Sequence, residues 1–451
     1  MAPHFLVLTY PAQGHINPAL HFARCLAGTG HRVTFSSTIY AHRRMLEPPT
    51  PDDPLSYAPF PDGYDDGFDF DKEGPKYLAD FNQAGPVAVS DLVRSFSHEG
   101  RPITCVIYTL LLPWVADVAR DLGIPCCHLW IQPAAVFVIY HHYFHGSDAI
   151  ISSLNKDPSS SIKLPGLPPL THRELPSFIF PSDSYPFVLS SIKQLFQALD
   201  KEEKPHVLVN TFDALEESAL RAVHSVQMAG VGPLIPSAFL GGKSRVETSS
   251  DYIEWLESKQ KSSVVYVSFG TLSALSKQQM EEIANGLLES GRMFLWVVRE
   301  AQNEGGDEIQ ARISASKRGL VVSWCSQVEV LSHPSVGCFV SHCGWNSTTE
   351  SLAVGVPMVC FPQWSDQQIN AKLVEEVWKT GVRLVVDEDG VVKSGELKRC
   401  LEEVMEGESG EEMRKNADKW RDKAREAAGE GGSSDRNVKA FADKVKDGGF
   451  F

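Results

Sequence analysis

The chain has 451 residues, 43% hydrophobic and 22% charged, a composition typical of an ordinary globular protein with room for about two or three domains. A net charge of −15 argues against nucleic acid or an anionic membrane surface as a partner, because both are bound by clustered basic side chains. Nine cysteines without a CxxC spacing argue against a disulfide scaffold and fit a reducing, cytoplasmic compartment. The longest apolar run, 134–140, is too short to cross a bilayer, and residues 5–10 lack the pattern of a signal peptide.

The first half of the chain alternates short apolar runs with helical patterns, which is typical of a parallel, doubly wound sheet. Asn17-Pro18 predicts a helix start, because asparagine suits the cap and proline the first helical position. Residues 47–76 and 146–186 are rich in turn formers and predict loops. The predicted strands are 5–9, 31–36, 104–108, 126–130 and 206–210, and the predicted helices are 17–26 and 113–122.

Residues 232–250 break this rhythm with Gly, Pro and Ser, so they predict a linker, which we place at 241–250. The alternation then restarts, and the chain is predicted to hold two Rossmann-like α/β domains, 1–240 and 251–433, with a cleft between them. The predicted elements of the second half are strands at 264–268, 293–298, 319–323, 337–341, 358–361 and 382–386, helices at 277–289 and 348–354, a surface loop at 301–316, and charged helices over 397–446 with a break near 429–434.

Residues 324–367 carry the densest set of signals. Two apolar strands, 337–341 and 358–361, flank the turn 342–347, which leads into a helix predicted to begin at Thr348. A strand, a glycine-containing turn and a helix start together offer backbone N–H groups to a phosphate. Because ligands of open α/β sheets bind at the carboxyl ends of strands, this stretch predicts a binding site for a phosphorylated ligand.

The same stretch resembles the signature box of plant family-1 UDP-dependent glycosyltransferases. The matching residues are Trp324, Gln327, His333, Gly337, His342-Cys343-Gly344-Trp345-Asn346-Ser347, Glu350, Gly355-Val356-Pro357 and Asp366-Gln367. The similarity extends to Gly14-His15 and Ser268-Phe269-Gly270, and a looser likeness at 108–114 and 130–134 is to anthocyanin 5-O-glucosyltransferases and glucosyl-ester-forming enzymes. The resemblance implies a GT-B fold of two Rossmann-like domains, with the last helix, 434–451, packing back on the first domain.

Residues of this stretch suit the parts of a nucleotide sugar. Trp324 can stack on uracil, and the Cys325 backbone and the Gln327 side chain can hydrogen-bond the nucleoside. From the residues alone, Trp324 fits a sheet core equally well, and Ser347 with Glu350 fits an S-x-x-E capping box. The resemblance instead places Glu350 on the ribose hydroxyls. It implies a donor-binding set of Ser273, Trp324, Cys325, Gln327, His342, Gly344, Trp345, Asn346, Ser347, Glu350, Asp366 and Gln367, with Thr271 as a further candidate for a phosphate contact.

The charge of the diphosphate is expected to be neutralised by His342 and a helix N-terminus, so that no metal is required. Adjacent His342 and Cys343 are a poor zinc chelate, and no Asp-x-Asp pair lies nearby. In the family, glutamine at the position of Gln367 goes with glucose donors, and glucuronate users often carry arginine where this chain has Trp345. The donor is therefore expected to be UDP-glucose, with no cofactor.

His15 is the candidate general base, because it follows the first predicted strand and imidazole titrates near neutral pH. A base histidine needs an orienting carboxylate, for which Asp117 and Asp121 are candidates one helical turn apart. Asp117 is preferred because its neighbours are apolar and the resemblance places the family's partner there. The alternatives are a packing or capping role for His15 and an ordinary exposed charge for Asp117.

These features predict an inverting, metal-independent glucosyltransferase that moves glucose from UDP-glucose to a hydroxyl or carboxylate of a small aromatic or apolar metabolite, giving a β-glucoside or a glucose ester. We expect a cytoplasmic monomer without nucleic-acid partners or stable membrane insertion. A non-catalytic nucleotide-sugar-binding protein is the alternative from another class. A nicotinamide-dependent dehydrogenase fits less well, because residues 13–17 contain one glycine where G-x-G-x-x-G needs three.

Overall fold

The computed structural model describes residues 3–45, 53–67, 70–157, 159–180, 186–240, 251–271, 275–299 and 306–449. The chain divides into two compact units. The first unit comprises Met1–Arg173, Phe178–Ile235 and Glu426–Phe451, and the second unit comprises Glu174–Ser177 and Pro236–Arg425. The linker predicted at 241–250 lies outside the described residues.

The first unit contains a sheet of seven parallel strands and a small antiparallel pair. Its strands are β1 (His4–Leu8), β2 (Arg32–Ser36), β3 (Ser56–Tyr57), β4 (Cys105–Tyr108), β5 (Cys126–Trp130), the paired β6 (Ser161–Ile162) and β7 (Leu170–Thr171), β8 (His206–Val209) and β9 (Gln227–Gly230). The large sheet has the order β3-β2-β1-β4-β5-β8-β9.

The second unit contains a sheet of six parallel strands. These are β10 (Val264–Ser268), β11 (Met293–Val297), β12 (Gly319–Val322), β13 (Val336–Ser341), β14 (Met358–Cys360) and β15 (Gly381–Arg383). The order is β12-β11-β10-β13-β14-β15. Buried apolar side chains of these strands and of the covering helices form its core. The prediction of two successive α/β sets with parallel sheets is confirmed.

Helices connect the strands in both units. In chain order they are α1 (Gln13–Gly28), α2 (Ile39–Arg43), α3 (Phe70–His98), α4 (Val115–Asp121), α5 (Ala134–His142), α6 (Asp148–Ser153), α7 (Pro186–Leu199), α8 (Asp213–Leu220), α9 (Asp251–Glu257), α10 (Lys277–Glu289), α11 (Gly306–Ser316), α12 (Gln327–Leu331), α13 (Trp345–Val354), α14 (Gln367–Lys372), α15 (Ser394–Met405), α16 (Gly407–Ala428) and α17 (Ser433–Lys446). Within the described ranges, no helix is both long and apolar enough to span a membrane.

Both sheets reverse their strand order once, between β1 and β4 in the first unit and between β10 and β13 in the second. In an open parallel sheet, the loops after two such strands diverge and leave a crevice for a ligand. His15 follows β1, and the turn 342–347 follows β13. The topology therefore places both of the sequence-predicted site segments at reversal points.

Helix α3 is the main element that the sequence pattern missed, because its first residues fall in the predicted loop 47–76 and Gly85-Pro86 suggests a break. The structure explains Gly85 by packing: a Cβ at this position would lie 2.5 Å from Cζ2 of the Trp114 indole. Buried Tyr77 and Phe81 anchor the same helix in the core. The loop predicted at 301–316 is also wrong in part, because α11 occupies 306–316.

The last helix, α17, belongs to the first unit. The Asn437 side chain donates to the Gly230 carbonyl at 2.8 Å, and the Ser434 hydroxyl donates to the Gly232 carbonyl at 2.5 Å. The ring of Phe441 lies 5.9 Å from that of Phe5 on β1. The first unit is therefore built from segments near both ends of the chain.

Candidate active site

The turn between β13 and α13 is shaped by its own backbone. Cys343 adopts a left-handed conformation, with φ of 63°, and its N–H donates to the Ser341 hydroxyl at 3.1 Å. Helix α13 begins at Trp345, three residues before the predicted start, with Gly344 as an N-cap that makes no side-chain hydrogen bond. A helix start of this kind directs backbone N–H groups and the positive end of the helix dipole toward a bound anion.

The imidazole of His342 is enclosed between two glycines. A Cβ at Gly270 would lie 2.7 Å from its Nε2, and a Cβ at Gly344 would lie 2.5 Å from the same atom. Burial lowers the pKa of His342 to about 4, although the Ser268 backbone partly offsets this. Without a bound anion the ring is therefore held neutral at pH 7. It can donate a hydrogen bond to a phosphate oxygen, while α13 supplies the positive field.

Gln327 joins three elements of the second unit through its side-chain amide. Its Nε2 donates to the Ser347 hydroxyl at 2.7 Å and to the Glu350 carboxylate at 2.6 Å, and its Oε1 accepts from the Tyr266 hydroxyl at 3.3 Å. The capping-box alternative for Ser347 and Glu350 is wrong, because α13 begins before Ser347 and the Ser347 hydroxyl faces Gln327. Burial raises the pKa of Glu350 to about 7.

Two tryptophans of the predicted donor set have opposite environments. The Trp324 side chain follows β12 and is 50% exposed, which excludes the core alternative and leaves an indole face open for stacking. The Trp345 side chain is buried, with its ring 6.0 Å from that of Trp378. A contact between Trp345 and a ligand would therefore involve its backbone.

Asp366 and Gln367 are buried at the start of α14. The Asp366 carboxylate accepts from the Asn370 amide at 2.8 Å, and the same amide donates to the Cys343 carbonyl at 2.9 Å. Gln367 Oε1 accepts from the backbone N–H groups of Gln363 and Trp364 at 2.9 and 3.1 Å. Asn370, which the sequence pattern did not single out, thus ties the predicted sugar-binding pair to the turn that holds His342.

Two further candidates for phosphate contacts follow β10. Thr271 is exposed, and Ser273 lies outside the described residues. Across the described ranges, no three His, Cys, Asp or Glu side chains converge into a set that could hold a metal ion.

In the first unit, His15 lies in the first turn of α1, two residues after the helix start at Gln13. Its ring centroid is 5.3 Å from that of Tyr10. Its Nδ1 is enclosed and finds no hydrogen-bond partner among the described residues. Burial lowers the pKa of His15 to about 4, which the Leu110 backbone partly offsets, so the ring is neutral at pH 7.

The prediction that Asp117 orients His15 is wrong. The Asp117 side chain is 58% exposed and forms ion pairs with Arg120 at 2.5 Å and Lys201 at 3.5 Å. The hydrogen bond from Arg120 lowers the pKa of Asp117, so this carboxylate is engaged on the surface of α4. The structure supports the alternative for Asp117, an ordinary exposed charge on a helix. Asp121 is exposed at the end of the same helix.

Two residues beside His15 were missed by the sequence reasoning. Thr109 directly follows β4, and its buried hydroxyl accepts from the Tyr10 N–H at 3.3 Å. His128 on β5 is buried, 5.0 Å from Tyr108 between ring centroids, and neither ring nitrogen has a hydrogen-bond partner in the described part of the chain. Their signal in the sequence is their position at β4 and β5, the two strands that follow β1 across the reversal of the strand order.

Two parallel sheets, each with polar groups at the reversal of its strand order, define an α/β enzyme that binds a nucleotide-linked substrate. The sequence profile of the family described as "UDP-glucoronosyl and UDP-glucosyl transferase" matches residues 202–419. UDP-glycosyltransferase 75C1 of Solanum lycopersicum is 53% identical over 463 aligned residues, which cover 98% of this chain and 98% of that protein. Anthocyanidin 3-O-glucoside 5-O-glucosyltransferase of Verbena hybrida is 48% identical, with 98% of each chain covered.

Among solved structures, Os79 from O. sativa in complex with UDP is similar to this chain, with a TM-score of 0.87, 36% identity, and 98% of this chain and 100% of that chain covered. The chain belongs to the plant family-1 UDP-glycosyltransferases and resembles the anthocyanidin 5-O-glucosyltransferase subgroup. It is a UDP-glucose-dependent glucosyltransferase, so the dehydrogenase and non-catalytic alternatives are wrong.

The burial of His128 makes a prediction about acid stability. Burial lowers the pKa of His128 to about 3, so between pH 6.5 and about 3 the unfolded chain binds a proton that the folded chain does not. Stability should therefore fall as the pH falls through this window, by about 1.4 kcal/mol per pH unit for this group. His128→Leu should reduce the loss between pH 7 and pH 5 by about 2 kcal/mol, measured by urea unfolding. The exposed control His98→Leu should leave the loss unchanged, and equal losses in all three proteins would contradict the prediction.

Proposed function

We propose that the enzyme transfers glucose with inversion, with His15 as the base that acts on the acceptor. The acceptor oxygen attacks the anomeric carbon, the bond from that carbon to UDP breaks with its electron pair leaving on the diphosphate, and the acceptor proton goes to the His15 imidazole. Attack opposite the departing UDP converts an α-linked donor into a β-glucoside or glucose ester. The observation that carries this assignment is the neutral, half-buried imidazole of His15 at the strand-order reversal of the first unit.

The acceptor is proposed to be a small aromatic or apolar molecule with an acidic hydroxyl or a carboxyl group. The surroundings of His15 are apolar: the ring centroid of Tyr10 lies 5.3 Å from that of His15, and that of Phe81 lies 5.7 Å from that of Tyr10, with both rings buried. An apolar setting around the base favours an apolar acceptor, because a polar one would lose hydration there. The name of the Verbena hybrida relative includes an anthocyanidin glucoside, which has this character.

An acidic acceptor is favoured because no carboxylate of the described residues lies on the Nδ1 of His15. A carboxylate partner stabilises the imidazolium that forms as the proton is taken, and Asp117 does not supply it. Acceptors that are already ionised at neutral pH need no proton transfer. The rate should therefore depend steeply on the acidity of the acceptor group.

The test is His15→Ala assayed with a graded series of acceptors. We expect a loss of roughly 10²- to 10⁴-fold in kcat for neutral hydroxyl acceptors, which is the usual contribution of a general base, and a much smaller loss for carboxylates. The affinity for UDP, measured by calorimetry, should stay unchanged because the residue acts on the acceptor. Turnover of a neutral alcohol close to the wild-type value would remove His15 from the mechanism.

The second unit is proposed to hold UDP-glucose. Trp324 would stack on the uracil, Gln327 and Glu350 would bind the nucleoside, and the start of α13 would face the diphosphate. The exposed indole of Trp324 and the joint contact of Gln327 with Ser347 and Glu350 support this arrangement. Asp366 and Gln367 would bind the sugar hydroxyls.

We also propose that the enzyme acts as a cytoplasmic monomer, and a solution mass of twice that of the chain would contradict this.

Glu350 makes the donor affinity depend on pH. Its pKa is raised to about 7, so the carboxylate that would accept from the ribose hydroxyls is increasingly protonated below pH 7. The KM for UDP-glucose should rise as the pH falls from 8 to 6. Glu350→Gln should raise this KM roughly tenfold at pH 8, the size of a hydrogen bond to a charged group, and remove its pH dependence. A lower melting temperature with an unchanged KM would instead assign Glu350 to stability alone.

Gln367 is proposed to contribute to the choice of sugar. Its Oε1 is engaged by two backbone N–H groups, so the amide NH₂ is the end available to a sugar hydroxyl. Gln367→His should lower kcat/KM for UDP-glucose, since unpaired polar groups in a sugar site are costly. We do not expect it to create an efficient galactosyltransferase, because several groups hold the sugar. Competition between UDP-glucose and UDP-galactose at equal concentration measures this, and an undiminished preference for UDP-glucose would exclude the role.

A further inference from the structure

The orientation of the Gln327 amide is a constraint within the donor site. A side-chain amide has one end that donates and one that accepts. Gln327 Nε2 lies 2.7 Å from the Ser347 hydroxyl and 2.6 Å from the Glu350 carboxylate, and an ionised carboxylate can only accept. Above pH 7, where Glu350 is mostly ionised, the NH₂ end therefore faces α13 and Oε1 faces away from it.

The Tyr266 hydroxyl lies on the side of the Gln327 amide that faces away from α13. Its hydroxyl lies 3.3 Å from Gln327 Oε1 and 3.4 Å from Cys325 Sγ. The hydroxyl has one proton, so donation to the amide oxygen leaves its own oxygen to accept from the Cys325 thiol or the Ser268 hydroxyl. The ring is buried on β10 and stacked on Phe339 of β13, with centroids 5.0 Å apart and an interplanar angle of 22°. The donor that faces Gln327 is therefore fixed by the sheet itself.

We propose that Tyr266 is a positioning residue for UDP-glucose, whose hydroxyl selects the orientation of the Gln327 amide. The proposal rests on the proposed function, in which Gln327 and Glu350 hold the nucleoside. Tyr266 itself touches neither the donor nor the acceptor. Its effect on the reaction passes through the amide and reaches Glu350, which is the group that faces the ribose.

The consequence of losing the hydroxyl follows from the two ends of the amide. In Tyr266→Phe, Oε1 is left against an apolar ring without a donor, which removes the preference for the observed orientation. The flipped amide places Oε1 against the Glu350 carboxylate, and two acceptors repel unless Glu350 is protonated. Both the loss of the preferred orientation and the flipped amide disturb the Glu350 carboxylate, which would bind the ribose. The groups that react stay unchanged.

A second tyrosine, Tyr252, supplies a matched control, because its hydroxyl contacts residues close to Gln327 in the chain. The Tyr252 hydroxyl on α9 accepts from the Ser326 N–H at 3.2 Å and lies 3.4 Å from the Glu329 carboxylate, to which it donates. Tyr252→Phe therefore removes one hydroxyl that supports the backbone beside Gln327, without touching the amide. It reports what a general loosening of this segment does to the donor affinity.

The experiment is a double-mutant cycle of Tyr266→Phe with Gln327→Ala. Tyr266→Phe should raise the KM for UDP-glucose about fivefold, the size of one neutral hydrogen bond, with kcat and the acceptor KM unchanged. In the Gln327→Ala background the same substitution should add less than a twofold change, because residues that act as a unit are not additive. Tyr252→Phe should produce the same factor in both backgrounds. Calorimetric UDP affinities and melting temperatures of all variants give a readout independent of turnover.

The outcomes separate this inference from the proposed function. If Gln327→Ala raises KM but Tyr266→Phe does not, the positioning role of Tyr266 is wrong and the donor site stands. If Tyr266→Phe raises KM equally in both backgrounds, Tyr266 acts through the strand or Cys325 and the inference is overturned. If Gln327→Ala leaves both KM and UDP affinity unchanged, the assignment of Gln327 to the donor fails, and the inference fails with it.

Discussion

The parallel pairing of β10 with β13 places Ser268 opposite Ser341, and the organisation of the second unit depends on it. Because the two strands end level with each other, the loops that follow start side by side, and His342 is enclosed by glycines from both. Tyr266 and Phe339 stack across the same pair of strands. The sheet therefore fixes side chains on both sides of the donor segment before any ligand is bound.

Burial shifts the pKa of titratable groups in each unit toward the neutral form. The pKa of His342 and of His15 is lowered to about 4, and the pKa of Glu350 is raised to about 7. Desolvation is the largest cause in all three cases, because a charge is poorly solvated inside the protein. In the proposed donor site, the helix start at Trp345 would attract the diphosphate at any pH, because its field does not depend on the protonation of a side chain.

Most strands were predictable from the sequence because runs of buried apolar residues mark the strands of parallel sheets. The short strands β3, β6, β7 and β9 carry no such run and were missed. Helix starts were less predictable. Both α1 and α13 begin after residues, Ala12 and Gly344, whose side chains make no capping hydrogen bond, so the sequence carries no local signal there. Helix α3 was missed because Gly85 is required by the close approach of the Trp114 indole, a tertiary contact that no local pattern encodes.

The donor segment could be recognised from sequence because its residues lie close together in the chain and match a family pattern over a long stretch. The partner of His15 could not be recognised from the sequence. Asp117 lies in an apolar stretch, but its side chain emerges on the exposed face of α4, where Lys201 from a distant part of the chain meets it. Neighbours in sequence do not reveal which face of a short helix is covered. Thr109 and His128 reach the surroundings of His15 through strand order, which becomes clear only once the sheet is assembled.

The first unit is completed by residues from the end of the chain, since α17 donates hydrogen bonds to Gly230 and Gly232 and brings Phe441 against Phe5. A ribosome makes β1 first and α17 last, and domains generally fold as they emerge. Here the unit that is synthesised first lacks the hydrogen bonds and the ring contact of α17 until residues 433–446 have appeared. The second unit, contained in earlier residues, has all of its strands in place before then. The order of synthesis and the order of completion are thus reversed between the two units.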